Sequence, residues 1–221
     1  MHVLDDLDGL SPSARAFLTR TARREPADTG LGTGARDPLE LSVRRRNFVT
    51  RFGGLRYTVR RSARVGHDRW DIAREWRFDL DGWTRRERDG WTFGWIGEGV
   101  SSPVRHVLHT DGRFGVTDGG AFLEACPSIC HLIEGHALMD EVADWHPVGG
   151  SALETWAGGR LDAQAGDLSV VSEASGPYDC WLRSDDVVVR RFKLWTNRRD
   201  RPTRVMASTR QQVEWNRPPT G

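Results

Sequence analysis

An α+β fold, mainly antiparallel sheet packed with helices, is what the sequence predicts. Three observations carry that expectation: helical segments punctuated by N-cap and proline signals, a middle stretch of short segments that alternate aromatic and polar residues, and an Asp-Gly hairpin signature between two of them. The helical and strand patterns interleave with short connections, so one sheet with helices packed on it is the simplest assembly.

The first helix is expected from SPSARAFLTR. Ser11 is a suitable N-cap and Pro12 fits the first helical position, with Ala14, Phe17 and Leu18 on one side and an end near Arg23. The glycine-rich stretch EPADTGLGTGARD has no period and reads as a surface loop. It is no phosphate loop, because no strand precedes it and no Gly-Lys-Ser/Thr follows. A second helix is expected to start with Asp37 as cap, Pro38 at its first position and Glu40 closing a capping box. Leu41, Phe48 and Phe52 recur at helical spacing, and Gly53 is expected to end the helix in the left-handed conformation before LRYTVR begins a strand.

The strands EWRFDL and WTFGWI place Trp76, Phe78 and Leu80, and Trp91, Phe93 and Trp95, on their inward faces, with DGWTRRERDG as a charged connection. VRHVLHT and RFGV follow, joined by Asp111 and Gly112, the pair favoured in a two-residue type I′ turn. AFLE is a further short strand. A third helix is expected over residues 128 to 144, with Gly135 marking a close approach of helix and sheet. Beyond residue 150, DLSVVSEA, YDCWLR, VVVRRFKLW and TRVMAS are strands that either extend the first sheet or form a second layer. The expected organisation is a short helix and loop over 1 to 37, an α+β core over 38 to 149, and a β-rich extension or subdomain with a loose tail over 150 to 221.

The order of NFVTRFGG running into LRYTV, then WRFDL, WTFGWIGEG, the VRHVLHTDGRFGV hairpin and helical ICHLIEGHALMDEV resembles the SMI1/KNR4 (SUKH) superfamily across residues 38 to 145. Gly53, Gly54 and Leu55 match the family's helix-ending glycine pair and the hydrophobic residue after it. The resemblance implies a bacterial α+β binding fold of the immunity-protein kind, which binds and neutralises a toxin and requires neither a catalytic residue nor a cofactor.

Charge is segregated along the chain although the total is only +1: residues 11 to 65 hold 13 arginines against 4 acids, and residues 66 to 150 hold 8 against 15. Such segregation gives either a dipolar surface or charges that face each other in the fold. The near-neutral total makes nucleic-acid binding through the arginines of 44 to 64 the lesser reading, and no zinc finger or RNP-like pattern supports it. Arg44, Arg45 and Arg46 span most of a helical turn and cannot share one partner. Three cysteines, an odd and sparse set, fit a reducing cytoplasm rather than a disulfide framework. No apolar run is long enough for a membrane span, and no leader pattern opens the chain.

Chemistry-bearing residues are few. His106 and His109 sit three apart on one strand and so face opposite ways. Cys130, His131 and His136 do not share one helical face and Cys126 would have to fold back from the helix entrance, which argues against zinc, while no linear spacing brings Cys126 or Cys130 to His136 or His109 for a thiol mechanism assisted by Asp140. No catalytic residue, metal ligand or cofactor is expected. The expected contact surface is instead acidic and aromatic: Trp83, Glu87, Asp89, Glu98, Asp118, Glu124, Glu134, Asp140 and Glu141, steering a basic protein partner into a blocking complex. Trp70, Trp145 and Trp156, on expected connections, are further candidate anchors.

Overall fold

The computed structural model describes residues 1–27, 37–65, 68–98, 104–117, 119–148, 168–193 and 203–211. Helix α1 (Pro12–Thr21) starts as expected: Ser11 accepts a hydrogen bond from the Ala14 amide and Ala14, Phe17 and Leu18 are buried. It stops at Thr21 because Arg23–Arg24 leave it to form the short strand β1, which pairs with β2 (Leu55–Val65). Helix α2 (Leu39–Phe52) differs at both ends from the expectation. Pro38 is the cap residue and makes no side-chain capping bond, while the Asp37 carboxylate is drawn to buried Arg45 in a charge-assisted pair instead of capping the helix. At the other end Gly53 is extended (φ −58°, ψ 128°) and Gly54 takes the left-handed position at φ +76°. A Cβ on Gly54 would stand 1.9 Å from the Glu25 carbonyl oxygen, so both the turn and the close passage of the chain after β1 require glycine there.

The first sheet is an antiparallel meander in the order β1 to β7, through β3 (Asp68–Arg86), β4 (Trp91–Glu98), β5 (Arg105–His109), β6 (Phe114–Thr117) and β7 (Leu123–Cys126). The stretch DGWTRR, expected in a connection, belongs to β3. Asp81 and Gly82 resemble a turn in sequence, but two register shifts, between Arg77 and Leu80 and between Leu80 and Thr84, absorb them and let Thr84 pair with Phe93. The β5–β6 hairpin also differs. His109 and Arg113 close a three-residue loop, and Asp111 has no positive φ, so the type I′ geometry is replaced by a loop with one residue more.

Helix α3 (Ile129–Glu141) begins at Ser128, whose hydroxyl accepts from the His131 amide, and continues into a 3₁₀ turn at Val142–Asp144. After it the chain forms a separate five-stranded antiparallel sheet, which decides between the two alternatives open in the sequence. Its order is β8 (His146–Val148), β12 (Arg204–Thr209), β11 (Val187–Phe192), β10 (Asp179–Arg183) and β9 (Ser169–Val170). Gly135 is one point of close approach between α3 and this sheet: a Cβ there would lie 3.3 Å from Trp181 Nε1. Among the described residues the protein is thus α+β, two antiparallel sheets packed with three helices. Among the described residues no helix is long and apolar enough to cross a membrane.

The main core follows the inward residues read from the pattern. Trp76, Phe78, Phe93 and Trp95 are buried against Phe48 of α2, and Phe78 stacks on Trp95 at 4.7 Å between ring centroids. Tyr57 fills the gap toward α1 and α3, 5.2 Å from Phe17, and its hydroxyl meets His136 Nδ1 at 2.9 Å. Each fully buried ring of this kind is worth about 2–3 kcal/mol over exposure.

The segregated charges face each other across this core. The Asp140 side chain, 1 % exposed, takes the Arg20 guanidinium from α1, and from β2 both the Arg60 side chain (Nε, 3.1 Å) and the Arg60 backbone amide (3.2 Å). Buried Arg56 pairs with buried Asp79 across β2 and β3. Replacing Asp140 by Ala strands these donors and is expected to lower stability by about 3 kcal/mol. Arg20→Ala, whose guanidinium is largely solvated, is expected to cost about 1 kcal/mol or less. Urea unfolding of the two variants checks the ranking.

Candidate partner-binding surface

Two places on the first sheet bring expected residues together, at opposite ends of β3. At one end, the β3–β4 and β5–β6 turns lie side by side because β4 and β5 are paired, Thr92 opposite His109. The turns are joined by a Thr110 amide bond to the Trp91 carbonyl at 2.8 Å. His109 is enclosed between them at 1 % exposure. Its Nδ1 accepts from the Asp111 amide at 3.3 Å, and its Nε2 lies 3.3 Å from Asp89 Oδ1 but off the line that a hydrogen bond needs. Arg113 binds the surrounding carboxylates: Asp111 at 2.6 Å, Asp89 at 2.9 Å and Glu124 at 3.4 Å.

These contacts set the local electrostatics. The hydrogen bond from Arg113 holds the Asp89 carboxyl below its ordinary range. Burial pushes Asp111 up, but hydrogen bonds from the Arg113 backbone and side chain, with the His109 ring alongside, outweigh it and leave the group lowered. Asp89, His109 and Asp111 offer donor atoms within 4.8 Å of one another, the right types for a divalent cation. The Arg113 guanidinium already neutralises both carboxylates, and a metal ion would have to displace it.

At the other end, the β2–β3 hairpin carries Trp70 at 57 % exposure. Asp71 beside it is also exposed, and Arg69 anchors the hairpin by donating to the carbonyls of Ala143 (2.6 Å) and Trp145 (3.2 Å). Exposed Asp144, paired with Arg60, lies next to this anchor in the same 3₁₀ turn.

The remaining expected contact residues are dispersed. Glu87 accepts from the Thr92 hydroxyl at 3.3 Å and Glu98 stands 3.5 Å from both Arg61 and Arg74. Glu141 holds Arg183 through both oxygens, at 2.6 and 3.0 Å, and so ties α3 to β10. Trp83 is half-buried beneath the Arg105 guanidinium, 5.2 Å from the ring centroid. Trp145 is likewise covered by Arg210, whereas Asp118 and Trp156 lie outside the described residues. Glu134 and Asp140 are corrections to the expected face, because both are buried. Glu134 accepts from the Ser11 amide (2.7 Å) and hydroxyl (2.6 Å) and so fixes the start of α1, just as Asp140 fixes its last turn. A uniformly acidic face therefore gives way to carboxylates largely matched by arginines. Sequence reasoning missed Asp111, Arg113 and the enclosure of His109, since only the pairing of β4 with β5 sets the two turns side by side.

The histidines and cysteines weighed for chemistry occupy separate surroundings. His131 meets the Ser128 hydroxyl at 2.9 Å, while His136 meets Tyr57. Burial pushes the Cys126 thiol up to about 12 and His136 well below its ordinary value. His106, opposite in direction to His109 as its spacing requires, is packed among Trp76, Trp95 and Phe114, and burial pushes it down to about 4.

The His106 shift has a signed consequence. An unfolded chain takes up the proton below pH 6.5, whereas the folded chain resists until about pH 4, so protonation favours unfolding and stability falls as pH drops through that window. The loss from His106 alone is expected to be about 2 kcal/mol at pH 5 relative to neutral pH. Denaturant midpoints measured from pH 7.5 to 4.5 check this, and His106→Phe is expected to flatten the slope; an unchanged slope in that variant places the effect elsewhere. Compared with protein-family models, with curated proteins and with solved structures, the chain matches none, so a functional reading has to rest on its own residues.

Proposed function

We propose that the chain is a protein-binding module of the immunity type, with a SUKH-like core over residues 38 to 149, that neutralises a toxin or other protein partner by covering it. The observation that carries this reading is Trp70. A tryptophan more than half exposed on a strand anchored by Arg69 presents a large, stiff apolar surface to solvent. Aromatic anchors rimmed by charge are what dominate protein interfaces, and the ring keeps little freedom to lose on binding. The family resemblance supports the same reading, and no bond chemistry is needed for it.

The internal pairing of charge changes the mechanism from that of an acidic face. Steric blockade centred on Trp70 replaces long-range steering by an acidic face. The arginine-rich region offers less to a phosphate backbone than its composition implied. Arg45, Arg51, Arg56, Arg60 and Arg61 all have carboxylate partners within the fold, while Arg44 and Arg46 are exposed on α2.

The test is co-expression with the product of the adjacent gene, with growth and co-purification as readouts. A stable complex that relieves toxicity is expected, and Trp70→Ala is expected to weaken it by about thirtyfold or more while leaving the melting temperature within about 1 °C. Asp89→Lys is expected to change binding less, since Asp89 stands at the other end of β3. A neighbour that is neither toxic nor bound sinks the immunity reading. Retention on nucleic acid that collapses between 50 and 200 mM salt supports the arginine reading in its place.

A further inference from the structure

The β2–β3 hairpin runs past the rest of the first sheet. β3 pairs with β2 from Asp68 onward, but its other neighbour, β4, joins only at Trp76, where Glu98 stands opposite. Among the described residues no backbone group pairs with β3 on that side between Asp68 and Glu75. The direction of the free groups follows from Arg60, whose amide leaves β2 away from β3 to reach Asp140. In an antiparallel pair the residue opposite turns outward as well, so Ala73, and by the period of two Asp71 and Arg69, present amide and carbonyl on the open edge. Trp70 lies between the last two with its backbone turned to β2. Its ring, 57 % exposed, stands on the opposite face from the Arg69 and Asp71 side chains.

Charged side chains on an edge strand ordinarily keep other chains away. Here their order makes the edge complementary to itself. Set antiparallel against a second copy with Trp70 opposite Trp70, each Arg69 stands directly across from an Asp71, and each such pair exchanges two backbone hydrogen bonds. The two indoles then meet at a non-hydrogen-bonded position, where Cα atoms approach to about 4.5 Å and side chains are closest. Other registers are worse. Centring the pair on Arg69 or on Asp71 sets like charges directly opposite, and centring it on Ile72 brings the copy's Asp68 against Trp76, a place that Glu98 already fills.

We propose that the open edge of β3 pairs with the same edge of a second copy of this chain through Arg69, Trp70 and Asp71, so that the free protein is a weak symmetric dimer with Trp70 at its two-fold axis. Such an interface is closed and self-complementary, as a two-fold requires. The proposal rests on Trp70 being a contact surface, as in the protein-binding reading, and adds a regulation to it. A partner that covers Trp70 has to displace the copy first.

Sedimentation velocity of the full chain alone, from about 1 to about 500 µM, is the test. One short ladder falls below the size of a standard interface, and a dimer half-dissociated at about 100 µM is expected. Asp71→Pro removes an amide from the open edge without touching a bond to β2, and is expected to weaken dimerisation by about tenfold or more with the fold retained. Asp71→Arg, which sets arginines opposite each other, is expected to do the same should the proline variant fail to fold. Trp70→Cys is expected to form an intermolecular disulfide with oxidised glutathione, whereas Ile72→Cys, about 14 Å from its counterpart in this register, is not. The unchanged chain, with its own three cysteines, is the control. A chain that stays monomeric throughout, undiminished association in a folded Asp71 variant, or cross-linking by Ile72→Cys in place of Trp70→Cys overturns the proposal. Because no other protein enters these measurements, their failure leaves the immunity reading standing, and a neighbour that does not bind leaves the dimer standing.

Discussion

Asp140 is the interaction on which the assembly depends. A single carboxylate, almost fully enclosed, receives a guanidinium from α1, a guanidinium and a backbone amide from β2, and belongs to α3 itself. The amide matters most. Among the described residues β1 covers only the first two residues of β2, and beyond it Asp140 takes up the backbone donor at Arg60. An unmet backbone donor in a dry site costs as much as a lost hydrogen bond, and an unmet edge invites pairing with another chain. The same carboxylate therefore joins two helices to the sheet and closes part of its open side. Glu134, six residues earlier on α3 and bound to Ser11, repeats the device at the start of α1.

This explains the uneven charge along the chain. The arginines of the first third and the acids of the middle third belong to different elements that pack together, and Arg20 with Asp140, Arg23 with Glu75, Arg56 with Asp79, Arg60 with Asp144 and Arg61 with Glu98 are the result. Arginine suits the role better than lysine because its planar fork reaches several acceptors at once, as Arg113 does with three carboxylates. Many of these pairs are at the surface and contribute little each to stability. Their collective effect is on recognition, because carboxylates already matched within the fold leave less field for a charged partner, and an exposed ring such as Trp70 carries more weight.

Much of the fold was legible from local pattern, and the misreadings share one physical origin. Ser11 was recognisable as a cap because its partner lies three residues away, and the inward aromatics of β3 and β4 because strand faces alternate. Asp37 failed as a cap, and Gly53 yielded the left-handed position to Gly54, where contacts distant in sequence won: Arg45 for the first and the Glu25 carbonyl for the second. The extension of β3 through Gly82 was hidden by bulges that only cross-strand pairing reveals. The candidate surface was less legible for the same reason. Glu134 and Asp140 look like any exposed acid on a helix until α1 and β2 are placed over them, and Trp70 looked like a connection residue because the strand around it is mostly polar.

Gly135 has a consequence for how the two sheets depend on each other. Glycine in the middle of a helix weakens it by about 1 kcal/mol relative to alanine, and here that weakness permits the indole of Trp181 to sit against the helix backbone. The helix that carries both Glu134 and Asp140 is thus less able to stand alone than its apolar face implies, and it is supported from the far side by a strand some 40 residues later in the chain, about the separation that Arg183 spans when it grips Glu141. During synthesis the first sheet is complete well before that support arrives. The last third of the chain therefore braces, through Trp181 and Arg183, the helix that closes the first sheet.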